Sequence, residues 1–167
     1  PFGTRLVARY PNLVPQGIAA ELIAERWGFT REQLDAFALE SRQRAARATA
    51  EARFDRELVP VPIEVDGTKK PMTTDEGIRP DTTAERLATL KPAFKSDGVI
   101  TAGNSSQISD GAAAVLVTSE EAAARLGLTP RARIAHTALA ADDPILMLTA
   151  PIPATARILE RAGLALD

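Results

Sequence analysis

Thr101-Ala-Gly-Asn-Ser-Ser-Gln-Ile-Ser-Asp-Gly-Ala-Ala-Ala-Val-Leu-Val117 joins a polar, turn-rich loop to a run of small and apolar residues. Gly103, Asn104, Ser105 and Ser106 give the backbone access to unusual dihedrals and supply hydroxyl and amide groups. Gly111 to Val117 reads as a buried strand or close-packed segment. A loop pinned in this way to a core element is where ligands usually sit. Yet the chain of 167 residues has no cysteine and one histidine, so the commonest nucleophiles and bases are scarce around it.

Working outward, 45% hydrophobic and 25% charged residues describe an ordinary globular chain rather than a disordered one. Lys+Arg 20 against Asp+Glu 22 leaves a net charge of -2, which gives no basic field for nucleic acid. Aromatic residues at 4% leave few stacking platforms for bases. No apolar run approaches the roughly 18 residues that span a bilayer, and no basic stretch with an apolar core and cleavage site opens the chain. A cytoplasmic location is expected, in agreement with the missing cysteines. The start at Pro1 instead of methionine suggests a fragment or processed piece.

Ile18, Leu22, Ile23 and Trp27 fall at helical spacing after the Pro15-Gln16-Gly17 turn, and Gly28 suits the end of a helix near 17–27. Thr30 and Gln33 form a capping-box pair for a second helix running to about Ala52, with Phe29 and Leu34 placed for a hydrophobic staple. Its expected inward stripe is Leu34, Phe37, Ala38, Ser41, Ala45, Ala48 and Ala52. Arg42, Arg44, Arg47 and Arg53 read as a solvated face balanced by Glu32, Asp35, Glu40 and Glu51, with an anion-binding face as the alternative.

Val59, Val61, Ile63 and Val65 alternate as a strand, and Pro60 and Pro62 confine it to an edge. Asp66-Gly67 is a turn, and the polar segment through Thr73, Thr74, Asp75 and Gly77 an extended excursion. Thr82 with Glu85 could cap a short helix carrying Leu87 and Leu90, which Lys91-Pro92 ends. Ser119 caps a helix stopping at Gly127, Arg133 to Ala141 reads as a strand, and a last helix starts at Pro153 and ends at Gly163. The texture changes near Val99, from an excursion to segments of a layered α/β core, and no internal repeat is present.

The chemistry legible from residue types is incomplete. Ser105 or Ser106 with His136 and one of Asp110, Asp142 or Asp143 would permit a triad, but no Gly-x-Ser-x-Gly elbow presents the serine. Zinc lacks its preferred sulfur and imidazole donors, so no metal site is expected. A phosphate-binding loop ending in Gly-Lys-Ser/Thr is also missing. Asp142-Asp143 before Pro144 is more simply a turn.

Val99-Ile-Thr-Ala-Gly-Asn-Ser-Ser-Gln-Ile-Ser-Asp-Gly-Ala-Ala-Ala114 resembles the segment of the thiolase family that closes the coenzyme A-binding loop domain. Three further stretches match in the family's order. These are Gly17-Ile-Ala-Ala-Glu21 with Thr30-Arg-Glu-Gln-Leu-Asp-Ala-Phe-Ala38, then Arg79 to Phe94, then Pro151-Ile-Pro-Ala154 before Glu160-Arg-Ala-Gly163. Each alone is weak; four in order and spacing are specific, and they cover essentially the whole chain.

The resemblance implies an incomplete α/β, thiolase-like fold, with a mostly helical and irregular loop domain followed by strand-helix-strand-helix core segments. Residues 1–98 would be the loop domain, 99–128 the end of the N-terminal core and 129–167 the start of the C-terminal core. It also implies an acyltransferase that interconverts 3-ketoacyl-CoA plus CoA with acyl-CoA plus acetyl-CoA or propionyl-CoA through an acyl-cysteine. The family's nucleophile lies upstream of anything in this chain, and its Asn-Glu-Ala-Phe, Gly-His-Pro and Cys-x-Gly-Gly-Gly segments lie downstream. No catalytic residue is therefore expected within these residues, and the piece alone should not catalyse thiolysis.

The binding half remains. The resemblance sets Ser106 against the pantetheine arm, with Ala102, Ser105 and Ile108 as the neighbouring wall. Arg79 and Phe94 match positions near the adenine nucleotide, and Met147 one lining the acyl pocket. Gln16 and Pro15 stand where short-chain members often carry a His-Met pair, and Arg86 where a serine is common. The plainer readings are core filling for Met147, a surface cation for Arg79 and turn formation for Ser106. Coenzyme A enters as substrate and no resident cofactor is implied; the intact protein is expected to be a homodimer or homotetramer, with no nucleic-acid partner. A noncatalytic acyl-CoA-binding or assembly module and a Ser106-His136 hydrolase are the alternatives.

Overall fold

The computed structural model describes residues 3–166; the reading of Pro1 and Asp167 as cut ends concerns residues outside that range. The chain separates into two compact units, one formed by Ala20–Ser109 and the other by Pro1–Ala19 with Asp110–Asp167. Among the described residues no helix is long and apolar enough to cross a membrane.

In the first unit the helices begin and end where local chemistry requires. Helix α1, Thr4–Arg9, lies in the other unit, where α2, Gln16–Trp27, also starts before it enters this one at Ala20. The α2 helix ends at Gly28, whose φ of +68° is the left-handed conformation a terminating glycine adopts without strain. The amide of Phe29 returns to the Ala24 carbonyl at 2.9 Å, which satisfies one of the last helical acceptors. Helix α3, Arg31–Ala50, then opens on the expected capping box. Thr30 Oγ1 accepts from the Gln33 amide at 3.3 Å, and Gln33 Oε1 accepts from the Thr30 amide at 2.9 Å.

The buried face of α3 differs from the expected stripe. Leu34, Ala38 and Ala45 do turn inward, but Phe37 is 77% exposed and Ser41 is exposed, while Asp35, Leu39 and Arg42 take the inward positions. A 3.6-residue period tolerates a stripe rotated by one residue. The stripe actually used is the one whose polar members can serve the backbone of the 99–105 loop.

Strand β1, Val61–Val65, pairs antiparallel with β2, Thr68–Met72, around a two-residue turn. Asp66 and Gly67 have φ of 52° and 71°, the pair of positive values that suits a tight hairpin. The sequence pattern did not indicate β2, because Lys69-Lys70-Pro71 shows no apolar alternation. Val65 lies opposite Thr68 beside the turn, and hydrogen-bonded and non-bonded pairs alternate from there, so Pro62 opposite Pro71 falls on a non-bonded pair. Neither proline deletes a bond between the two strands.

Helix α4, Ala84–Ala88, is capped by Thr83 and not by Thr82. Thr83 Oγ1 accepts from the Arg86 amide at 3.3 Å, whereas the Thr82 hydroxyl donates to the Arg79 carbonyl at 2.9 Å. With two threonines side by side, the one already engaged upstream leaves the cap to its neighbour.

In the second unit, α5, Glu120–Arg125, starts at Ser119, whose hydroxyl accepts from the Ala122 amide at 3.2 Å. Helix α6, Pro151–Ala162, has Pro151 and Pro153 in its first turn and closes on Gly163 at φ 65°. It starts two residues before the expected Pro153. Residues 111–117 and 133–141, read as strands, join no ladder. Val115, Leu116 and Val117 are 86%, 74% and 68% exposed. A strand exists only where a neighbouring chain accepts its amides and carbonyls, and none does so among the described residues. Two carbonyls of the second segment are nevertheless held: Arg157 donates to Leu139 O at 2.7 Å and Arg161 to Thr137 O at 3.1 Å.

Glu32, Glu85 and Glu121, in the first turns of α3, α4 and α5, have carboxyls held below the usual range. The leading cause is each residue's own backbone N–H, followed by the hydroxyl of its cap, Thr30, Thr83 or Ser119. A lowered folded value stabilises the helix start above the ordinary carboxylate range, and that contribution is lost as pH falls through the folded value.

Gly98 and Gly103 are closely packed in the first unit. A Cβ on Gly98 would lie 2.1 Å from Glu21 Oε1, and one on Gly103 would lie 2.6 Å from Leu87 Cδ2. Gly111 meets nothing within 4 Å. Gly98→Ala should therefore lower the stability measured by urea unfolding by about 1–3 kcal/mol, with Gly111→Ala near neutral as the control. Equal effects from the two substitutions would contradict the packing described.

Candidate functional site

The loop of residues 99–105 is built on two buried carboxylates. Glu21 on α2, 3% exposed, accepts from the Val99 amide at 2.9 Å and from the Ile100 amide at 3.0 Å. Asp35 on α3, 7% exposed, accepts from Arg31 Nε at 2.7 Å and from the Asn104 side-chain amide at 2.9 Å. Buried carboxylates are tolerated only when donors replace their lost water, and both are so supplied.

Asn104 then ties the loop to itself. Its Nδ2 also donates to Val99 O at 3.0 Å, and its Oδ1 accepts from the Thr101 amide at 2.8 Å. Thr101 is fully buried, and its hydroxyl accepts from the Gly103 amide at 3.1 Å. Ser105 Oγ donates to Thr101 O at 2.6 Å, so its hydroxyl proton is committed to holding the loop. An isolated bridge between Pro92 and Thr101, with Ala93 N donating to Ile100 O at 2.9 Å, fastens the loop to the segment after α4.

Arginines connect α3 to the same segments. Arg31 donates to the carbonyls of Leu87 and Leu90, closing the end of α4 against α3. Arg42 Nη2 donates to Gly103 O at 2.6 Å. Arg42 is thus not part of a wholly solvated basic face, and its placement corrects that expectation; Arg44, Arg47 and Arg53 are exposed.

Beside the loop lies a cleft of about 410 Å³ lined by Arg42, Arg79, Asp81, Thr82, Arg86, Leu87, Thr89, Leu90, Ala102 and Gly103. Leu87 and Leu90 give it an apolar floor, and three guanidiniums against one carboxylate give it a positive wall. The Asp81 carboxyl is held below its usual range, first by the hydrogen bond from the Arg86 side chain and then by its own backbone N–H. Arg79 makes no ion pair within 4 Å among the described residues. An apolar floor beneath convergent guanidiniums can take a planar or thin organic body carrying phosphate.

Of the residues singled out in the sequence, Arg79 and Ala102 line this cleft. Ser105 is half-buried and Ser106 exposed, both on the loop that forms the wall, and Ile108 is wholly exposed just beyond it. Phe94 is 46% exposed on the segment bridged to Thr101. Gln16, the exposed first residue of α2, and Met147 belong to the other compact unit. Met147 sits with φ of 38° in the turn that follows Asp143, where Asp143 Oδ1 accepts from the Ile145 amide at 2.7 Å. Asp143-Pro144 is therefore a turn, as its composition suggested. Asp81, Thr82, Thr89, Leu87 and Leu90 were not singled out as site residues; Arg42 carried a signal only through the alternative of an anion-binding face, and Arg86 as an arginine where a serine is common.

The hydrolase alternative finds no support. His136 is exposed and has no hydrogen-bond partner among the described residues, whereas a catalytic imidazole is oriented by a second group. No group of three or more His, Cys, Asp or Glu residues able to hold a metal occurs among the described residues.

Comparison with known proteins gives one consistent answer. The family model "Thiolase, N-terminal domain" matches residues 6–121. A 3-ketoacyl-CoA thiolase of Aliivibrio fischeri is 49% identical over 153 residues, covering 90% of this chain and 40% of that protein. The human peroxisomal 3-ketoacyl-CoA thiolase is 49% identical over 157 residues, covering 91% of this chain and 37% of its own length. Among solved structures, the acetyl-CoA acetyltransferase of Bacillus anthracis superposes with a TM-score of 0.87 at 40% identity, over 92% of this chain and 39% of that one. The chain thus spans about two fifths of the length of these relatives, and over that span the thiolase-like α/β course is followed even where the strand segments lack partners.

Asp35→Ala should cost about 2 kcal/mol in urea unfolding, since it leaves the Arg31 guanidinium and the Asn104 amide without their buried acceptor. A loss below about 0.5 kcal/mol, the range of an ordinary surface change, would show that the loop does not depend on this carboxylate.

Proposed function

The chain belongs to the thiolase family, and from that premise we propose that it forms the coenzyme A- and acyl-binding portion of a cytoplasmic acyltransferase. The enzyme would interconvert 3-ketoacyl-CoA plus CoA with acyl-CoA plus acetyl-CoA or propionyl-CoA. The observation that carries this reading is the cleft whose apolar floor, Leu87 and Leu90, lies under Arg42, Arg79 and Arg86.

Each group has a task in this reading. Arg79 pairs with phosphate at the nucleotide end, where a guanidinium can offer two parallel donors. Phe94 stands near the adenine. Ala102 and the backbone around Gly103 let a thin pantetheine arm lie close, with Ser106, Ser105 and Ile108 along it. Ser105 contributes chiefly by fixing the loop, because its proton is given to Thr101 O. Met147 is assigned to the acyl pocket and Gln16 to substrate binding. The division follows as residues 1–98 for the loop domain, 99–128 for the end of the N-terminal core and 129–167 for the start of the C-terminal core.

These residues bind and orient; they do not form the covalent intermediate. An acyl-cysteine requires a thiolate, and the 167 residues contain no cysteine. Binding energy gathered along the nucleotide serves the reaction by holding the thioester in place at a distance from the phosphate.

The full-length protein should bind coenzyme A in titration calorimetry and cleave 3-ketoacyl-CoA in its presence. Arg79→Ala should weaken coenzyme A by about tenfold, the loss of one charge-assisted phosphate contact, without lowering the thermal midpoint. Failure of the unaltered protein to bind coenzyme A would defeat the reading.

A further inference from the structure

The sequence holds three Asp-Gly pairs, Asp66-Gly67, Asp97-Gly98 and Asp110-Gly111. In such a pair the glycine brings no side chain to shield its amide nitrogen, so the preceding aspartyl carboxyl can close a five-membered ring on it. Whether the ring closes depends on how the backbone is held, and the three pairs are held differently. Asp97-Gly98 is locked: the Gly98 amide donates to Lys95 O at 3.0 Å, and a Cβ at residue 98 would lie 2.1 Å from Glu21 Oε1, so the peptide has little space to turn. Asp110-Gly111 is open, with nothing within 4 Å of a Cβ at Gly111, but its segment joins no ladder and no turn prepares it.

Asp66-Gly67 is both open and prepared. Both residues are exposed, a Cβ at Gly67 would meet nothing within 4 Å, and the Gly67 amide makes no hydrogen bond among the described residues. Asp66 is already at φ 52° and Gly67 at φ 71°, and two positive values make a type I′ turn. Its relative, type II′, keeps a positive φ at the first of the two residues alone. Ring closure ties the Asp66 side-chain carbon to the Gly67 nitrogen and turns ψ of Asp66 towards the type II′ value, while Gly67 follows to negative φ without strain. Both turns join two-residue hairpins, so the pairing of Val65 with Thr68 survives ring closure and the reaction need not wait for the hairpin to open. We propose that Asp66-Gly67 is a spontaneous modification site, at which a cyclic imide forms and reopens to isoaspartate.

The Gly67 nitrogen attacks Asp66 Cγ, and the new C–N bond replaces a C–O bond of the carboxyl. The released oxygen leaves as water with the amide proton and the carboxyl proton. Water then adds to one of the two ring carbonyls. Addition at the Asp66 main-chain carbonyl breaks its bond to nitrogen, which frees the α-carboxylate and leaves the chain running through Cβ and Cγ. The sequence of steps returns the water it released and needs no oxidant or reductant. The product has one extra backbone carbon in a turn of only two residues, which the register from Val61↔Met72 to Val65↔Thr68 cannot absorb. The hairpin therefore loosens, while the 99–105 loop keeps its bonds to Glu21 and Asp35.

Prolonged incubation of the full-length protein in heavy-oxygen water, followed by peptide mapping, tests this. Isoaspartate carrying one heavy oxygen should accumulate at residue 66 about tenfold faster than at residue 97, where a hydrogen bond must open first. In protein unfolded with guanidinium the two sites should react at similar rates, since both are then unrestrained Asp-Gly pairs. Asp66→Gly, which suits the same turn, should abolish the labelled product in the hairpin peptide and preserve the thermal midpoint. Equal accumulation at residues 66 and 97 in the folded protein would overturn the proposal. So would a residue 66 that reacts about tenfold more slowly folded than unfolded, because the turn would then protect the pair.

Discussion

A carboxylate withdrawn from water must be surrounded by donors, and Glu21 obtains them from two successive backbone amides, Val99 and Ile100. This requirement governs much of the first unit. It fixes where the chain re-enters after α4 and leaves no room for a side chain at residue 98. It also starts the loop in the orientation that lets Asn104 reach Asp35. The cleft is a consequence, since its Ala102–Gly103 wall is the outer side of a loop whose inner side is occupied in satisfying α2 and α3.

Helix boundaries were legible because they are written in local chemistry. The Thr30–Gln33 box, Ser119 and the glycines 28, 127 and 163 act on residues within four positions of themselves. The inner face of α3 was not legible, because Asp35 and Arg42 are polar and a hydrophobic stripe search assigns them to solvent. The loop groups they bind, Asn104 for Asp35 and Gly103 O for Arg42, are 69 and 61 residues away, and only the fold brings those together. The segments 111–117 and 133–141 have strand-like sequences, but pairing is a property of two segments and cannot be read from one. For the site, the loop from Thr101 to Ser106 was identifiable from its small polar residues, whereas the opposing wall of Arg42, Asp81 and Arg86 looks like ordinary surface charge until the cleft is seen.

The division of labour between the loop and the arginines follows from what each can do. Small residues allow close approach but hold no ligand strongly, and guanidiniums hold phosphate but give little shape. A ligand that is long, thin and charged at one end calls for both. The Ser105 hydroxyl has a structural task, since its proton is given to Thr101 O, and Ser106 has no hydrogen-bonded base among the described residues.

The hairpin of β1 and β2 carries Val61, Ile63 and Val65 in view of solvent, with both outer edges open. Pro62 and Pro71 sit where the strand amides would point outward, away from the partner strand. Each edge therefore lacks one of its outward donors, and a third strand could not form an unbroken ladder on either side. The two five-residue strands, of which β1 is the apolar one, thereby remain a hairpin instead of seeding the edge-to-edge stacking from which fibrils grow.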